Sequence, residues 1–436
     1  MDAKQLPSRP NLEQYKKQAK DLVRACKSDA NGRATWAGLA QQFGLTERQV
    51  IQRIKKHHPR LGNLADSDIL SARFALADAQ WVIAREHGFN SWPKFVKHIE
   101  AVTRDSSPVS QFESAVEAII TGDIATIESL LRENPELVRE RSTRAHRATL
   151  LHYVAANGVE DYRQKTPKNA VLVAETLLRA GAEVDALAET YGGGAQQTTL
   201  NLLVSSVHPA KVGAQAALVE TLLDFGAAIN GVEDDESPLI TALAFDYQDA
   251  AEALARRGAR VDNIVTAASL GREDLVRSFV NADGSLKAGV PLLAIRWLQL
   301  PKDPKANMEL ALVWAARLGR AGVVEFLLQK GVDPGVKDGW GYTALHSAAS
   351  NGHLEAVEAL LEWNAPLEAK NGYDGTALDQ TIWTTVHEGL VENHVSIIQR
   401  LIAVGAKVHP DWLRADLNPP LDERVAEALR RHRRNE

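Results

Sequence analysis

Cysteine is almost missing from this sequence. Cys26 stands alone among 436 residues, so no disulfide can close within the chain and the usage suits a reducing compartment. Long apolar runs are missing as well. No stretch approaches the roughly 20 apolar residues that a membrane span requires, and the opening MDAKQLPSRPNLEQYKKQ has none at all. A cytoplasmic protein with no membrane partner is expected. Aromatic residues are scarce, at 6% against 45% hydrophobic residues overall, yet the length and the apolar share are enough for a core of more than one domain.

Catalytic motifs are missing too. The sequence holds no G-x-x-x-x-G-K-[ST], no H-E-x-x-H, no C-x-x-C and no G-x-S-x-G. The glycine run from Tyr191 to Gln197 has no basic residue to meet a phosphate and reads as a flexible inserted loop. His57-His58 and the stretch from His387-Glu388 to His394 lack a third ligand at helical spacing, so surface histidines are expected rather than a metal site. No enzyme activity and no cofactor are expected.

What the sequence does have is a copy of itself. In KDGWGYTALHSAASNGHLEAVEALLEWNAPLEAKNGYDGTALD, Lys337 to Asp379, the run Gly341 to Leu345 returns as Asp374 to Leu378, with Thr343 and Thr376 separated by 33 positions. Thr343 is placed to cap a helix over Ala344 to Ser350, Asn351-Gly352 breaks it, and a second helix starts near His353 with Leu354, Val357, Leu360 and Leu361 on one face. Neither helix can bury that face alone, so the pairs must stack on one another.

These residues resemble the ankyrin family. YTALHSAASNGHLEAVEALLEWNA follows its T-x-L-H-x-A-A, N-G-H and V-x-x-L-L pattern, and one period earlier Ala315, Gly319 and Leu327-Leu328 align with Ala348, Gly352 and Leu360-Leu361. Ends of second helices recur at Gly181-Ala182, Gly226-Ala227, Gly258-Ala259 and Gly405-Ala406 at uneven intervals, with a degenerate repeat at Ile264 to Val280 and a first one at Phe112 to Val138. About eight irregular repeats over 112–412 are expected. The resemblance implies that His152 and His346, at the T-x-L-H position, tie neighbouring loops together. It also implies a row of loops, or fingers, beside a concave face of first helices, both open to a protein partner. Trp340 and Tyr373 align at two successive fingertips, with Tyr342 beside them and Tyr191 further along, and aromatic side chains at such places are candidate binding anchors.

Before the repeats, residues 1–105 read as a helical module, joined by a linker at 106–111. Its segments around Trp81, His87-Gly88-Phe89 and Ser91-Trp92-Pro93 resemble the helical region that precedes ankyrin repeats in many bacterial proteins, which implies a bacterial origin and a module packed on the first repeat. This head carries 18 lysines and arginines against 11 aspartates and glutamates, a balance of +7, while the remainder stands at −13. Within it, residues 36–56 are similar to a helix-turn-helix. Leu39-Ala40, Phe43, Gly44, Leu45 and Val50 stand at its inward positions, Ile51 and Ile54 do not, and Thr46 with Gln49 can form a capping box. Its outer face would show Arg48, Gln52, Arg53, Lys55 and Lys56 to nucleic acid; solvated helix surface is the plainer reading.

After Pro419-Pro420, the run from Leu421 to Glu436 forms a capping helix and basic tail over 413–436, with Leu421, Val425 and Leu429 inward. The expectation is an all-α chain: a helical module, then an ankyrin-repeat solenoid of helix pairs with hairpin loops, monomeric. It would act as a non-enzymatic scaffold for a protein partner that the sequence does not name. The second reading is a DNA-binding regulator with the repeats as partner sensor.

Overall fold

The helix starts are set by short polar side chains. The Thr343 hydroxyl accepts the His346 backbone N–H at 3.4 Å to open Ala344–Ser350, and the Thr376 hydroxyl accepts that of Asp379 at 3.1 Å to open Ala377–His387. Gly352, at φ 76°, then turns the chain into Leu354–Glu362, in a left-handed conformation that a side chain would oppose. At the equivalent Gly319 a Cβ would sit 2.6 Å from Nδ1 of His353, so the glycine also lets two repeats approach closely. The computed structural model describes residues 3–7, 9–25, 47–72, 74–104, 106–190, 195–232, 237–294, 301–389, 392–414 and 417–435.

The chain divides into two units, Met1–Gly258 and Ala259–Glu436. In the second, four helix pairs follow one another: Ile264–Ser269 with Glu273–Phe279, Pro304–Arg317 with Ala321–Gln329, Ala344–Ser350 with Leu354–Glu362, and Ala377–His387 with His394–Ala403. First helices pack on first helices and second on second, which buries Trp314, Leu327, Leu345 and Leu360 completely. Glu423–Asn435 covers the last second helix with Val425 and Leu429 inward.

In the first unit, Leu12–Ala25, Glu47–His57, Leu76–Glu86 and Trp92–Val102 close a core that includes Tyr15, Ile54, Ile83, Phe89, Phe95 and Ile99. Ser107 caps Pro108–Thr121 by accepting the Ser110 N–H at 3.0 Å, so the expected linker is itself the first turn of a helix. Four pairs then follow: Pro108–Thr121 with Ile124–Glu133, the 3₁₀ turn Leu150–Ala155 with Ala170–Arg179, Thr199–Leu203 with Gln215–Asp224, and Pro238–Ala244 with Gln248–Arg256. The glycine run itself, 191–194, lies outside the described residues, but strands pair on either side of it. Ala195–Gln197 pairs antiparallel with Ala188–Thr190, and Tyr191 falls among the residues not described.

Two kinds of buried polar contact hold neighbouring repeats in register within the units. At both T-x-L-H positions the histidine Nδ1 meets the threonine hydroxyl, at 2.8 Å for Thr149–His152 and 2.7 Å for Thr343–His346. Nε2 then reaches the next loop, at the Gln197 carbonyl (3.3 Å) and the Gly375 carbonyl (3.1 Å). The second is an ionic knot between the first two helix pairs. Arg144 bonds Glu113 and Glu160 at 2.6 Å each, Arg163 bonds Glu113 at 2.8 Å and Glu117 at 2.9 Å, and the Tyr153 hydroxyl donates to Glu160 at 3.2 Å. Burial would raise the Glu113 carboxyl, but the two guanidiniums outweigh it and hold it at about 2. The head joins here: Arg144 lies over the Phe89 ring at 5.6 Å, and His98 Nδ1 meets the Thr143 hydroxyl at 2.7 Å.

Glu86 forms the second buried ionic centre. It is 3% exposed and receives Nε and Nη2 of Arg53, the latter at 2.7 Å, with Lys4 at 3.3 Å. Arg53 therefore faces the module's interior edge, because Ile51 and Ile54 are the residues that Glu47–His57 buries. The expected inward Val50 has no described side chain, and the first helix and turn of the helix-turn-helix reading fall among residues 36–46, outside the described residues.

Two outcomes are expected. Arg53→Glu leaves Glu86 facing a like charge and lowers the stability of the first unit by about 3–5 kcal/mol, read by denaturant unfolding; an unchanged midpoint would return Arg53 to the solvent face. Burial, chiefly, holds His98 and His152 at about 4 when folded, against 6.5 for an ordinary histidine. Below 6.5 the unfolded chain binds protons that the folded chain refuses, so stability falls as pH drops from about 6.5 to 4. Thermal melts at pH 7.5 and 5.0 should show the lower midpoint at 5.0, and a midpoint that is equal or higher there contradicts this assignment.

Candidate partner-binding site

The two fingertips are built the same way. Asp338 Oδ1 accepts the N–H groups of Trp340 and Tyr342, both at 2.9 Å; one period later Asn371 Oδ1 accepts those of Tyr373 at 2.9 Å and Gly375 at 3.1 Å. Lys337 Nζ donates to the Lys370 carbonyl at 2.7 Å, linking one finger to the next. Cβ atoms on Gly341 and Gly372 would come within 2.9 and 2.8 Å of the opposing backbone, so the tips touch through glycine. The aromatic side chains are thus carried on backbone already fixed. Tyr373 is 83% exposed and Trp340 42%.

Below these tips lies a cavity of about 620 Å³ whose lining includes Tyr342, Tyr373, Trp383, Trp412, Asp379 and Glu388. Tyr342 stands edge-on to His346, ring centres 6.0 Å apart. Trp383, on the outward side of Ala377–His387, is 42% exposed and stacks on His387 at 4.4 Å. Asp379 occupies the place that His346 holds one repeat earlier. It caps the helix through Thr376, at 3.0 Å to the N–H and 2.8 Å to the hydroxyl. Its other oxygen accepts the indole N–H of Trp412 at 2.9 Å, so Trp412 completes the wall where a further finger would stand. Burial raises the Tyr342 hydroxyl above its ordinary value, with neighbouring Tyr373, Asp338 and Glu388 acting in the same direction.

The structure therefore brings Tyr342 and Tyr373 together in one groove and leaves Trp340 at its rim, outside the lining. Trp383 and Trp412 were missed by sequence reasoning. The signal was present: the period puts Ser350 where Trp383 stands, so a tryptophan had replaced a small polar residue on a helix surface. The basic residues of the head behave differently. Arg48 and Gln52 are exposed, Lys55 pairs with Asp66, and Arg53 belongs to Glu86, so the helix does not present them as one free face. Lys56 is exposed and also has an interaction partner.

Comparison with known proteins finds ankyrin repeats in the second unit. Residues 312–411 match the family model of ankyrin repeats, three copies. The chain is 31% identical over 140 residues to ankyrin repeat protein nuc-2 of Neurospora crassa, covering 32% of this chain and 12% of that protein. It is 46% identical over 59 residues to ankyrin repeat domain-containing protein 39 of Homo sapiens, covering 13% of this chain and 32% of that protein. It therefore spans a third or less of the length of these relatives. Both are eukaryotic, so the bacterial type implied by the head finds no counterpart in them. Among solved structures, the human ASB11 ankyrin repeat domain aligns with 68% of this chain and 99% of its own, at 21% identity and a TM-score of 0.34. The chain carries ankyrin repeats, and its helix pairs have the form of that repeat.

Proposed function

We propose that this chain is a monomeric cytoplasmic binding module with no catalytic role, and that it scaffolds a protein partner through the groove bounded by Tyr342, Tyr373, Trp383 and Trp412. Ankyrin repeats mediate protein–protein interaction. The observation that carries the location is the exposure of Tyr373 and Trp383 on backbone that hydrogen bonds already hold. Large aromatic surface left in water is costly, and a rigid loop loses little entropy on docking, so such residues supply binding energy out of proportion to their number. Trp340 extends the same edge at the rim, and Tyr191, which belongs to the first unit, is kept as a separate candidate anchor. The bacterial origin rests on the resemblance of the head alone.

The test is capture from nuclease-treated extract of the source cell, with the full chain and with Tyr373→Ala/Trp383→Ala as baits. The variant should retain its unfolding midpoint, since both side chains are exposed, and lose the captured partner by about tenfold or more. Equal capture by the two baits would move the interaction elsewhere.

A further inference from the structure

Resting on that reading, we infer that the groove takes an arginine-bearing segment of a protein partner. Tyr342, Tyr373, Trp383 and Trp412 line it, Trp383 having one face stacked on His387, and its charged lining residues are Asp379 and Glu388; no lysine or arginine is among the described lining residues. Aromatic faces carry negative charge at their centres and attract a cation placed over them. Carboxylates at the same wall add directional acceptors. Glu388 is exposed and makes no ion pair among the described residues, so its charge is available to a ligand. Asp379 is placed differently: both of its oxygens already accept bonds from Thr376 and Trp412, which fixes the indole against the cavity.

The choice among cations follows from shape. A guanidinium is flat, stacks on an aromatic ring and donates two parallel N–H bonds to a carboxylate, whereas a lysine ammonium is a compact and strongly hydrated point charge. A lining that combines aromatic rings with the Glu388 carboxylate can use both properties of the guanidinium. The same lining disfavours nucleic acid, because bases could stack there only by bringing phosphates against Asp379 and Glu388. The Tyr342 hydroxyl is displaced upward chiefly by burial, then by Tyr373, with Asp338 and Glu388 adding in the same direction.

The experiment is a fluorescence-anisotropy titration of the full chain against three labelled peptides, in which glycine alternates with arginine, with lysine or with glutamate. The arginine peptide should bind most tightly, with an affinity that falls as salt rises. Trp383→Ala should weaken it roughly tenfold, Trp383→Phe should recover most of the loss, and Glu388→Gln should weaken it while reducing the salt dependence. Equal binding of the lysine or glutamate peptide overturns the proposal, as does arginine binding that is indifferent to both positions. Absence of arginine binding overturns it as well. If the capture difference between wild type and Tyr373→Ala/Trp383→Ala then persists, the interaction reading stands and only this ligand chemistry falls.

Discussion

Two repeats of this protein, those of His152 and His346, are tied to the loop that follows them by one buried side chain. A helix pair of this size cannot bury its apolar face by itself, and stacking alone leaves two smooth helical layers free to slide. The histidine after the capping threonine removes that freedom. Its Nδ1 is engaged at its own helix start, so Nε2 is aimed outward at a carbonyl of the following loop, from His346 to Gly375 and from His152 to Gln197. Burial keeps both rings neutral, which lets one nitrogen accept while the other donates.

The site is a consequence of that frame and of the place where it changes. At the last full repeat the histidine is replaced by Asp379, which can accept but not donate when ionised. The reach onto a further loop carbonyl is lost, and the indole N–H of Trp412 supplies the donor in its stead. The stack thus ends in an aromatic wall, with Tyr342 and Tyr373 above it on fingers locked by Asp338 and Asn371. Preorganisation of this kind lowers the cost of docking on a small number of exposed rings, since their positions are determined before any partner arrives.

Much of this was legible in one dimension because it is periodic. The 33-residue interval located the capping threonines, the glycine turn at Gly352 and the two aromatic fingertips without any knowledge of contacts. What stayed hidden is non-local. Arg53 read as a solvated basic residue because nothing near it in sequence announces Glu86, 33 positions away and on another helix. The knot of Glu113, Arg144, Glu160 and Arg163 draws its charges from separate segments of the first two helix pairs, each of which reads as ordinary polar surface. Trp412 lies beyond the last repeated motif, where the period no longer assigns a position.

The central claim is that the groove under the 340 and 373 fingertips is where a protein partner docks. Site-directed photo-crosslinking tests it most directly, with a benzophenone amino acid placed at position 373 in one chain and at the exposed Phe245 position, in the first unit, in another. After irradiation in source-cell extract, the account predicts a covalent adduct with a discrete partner from position 373 and none from position 245. An adduct with the same partner from position 245, and none from position 373, would contradict it.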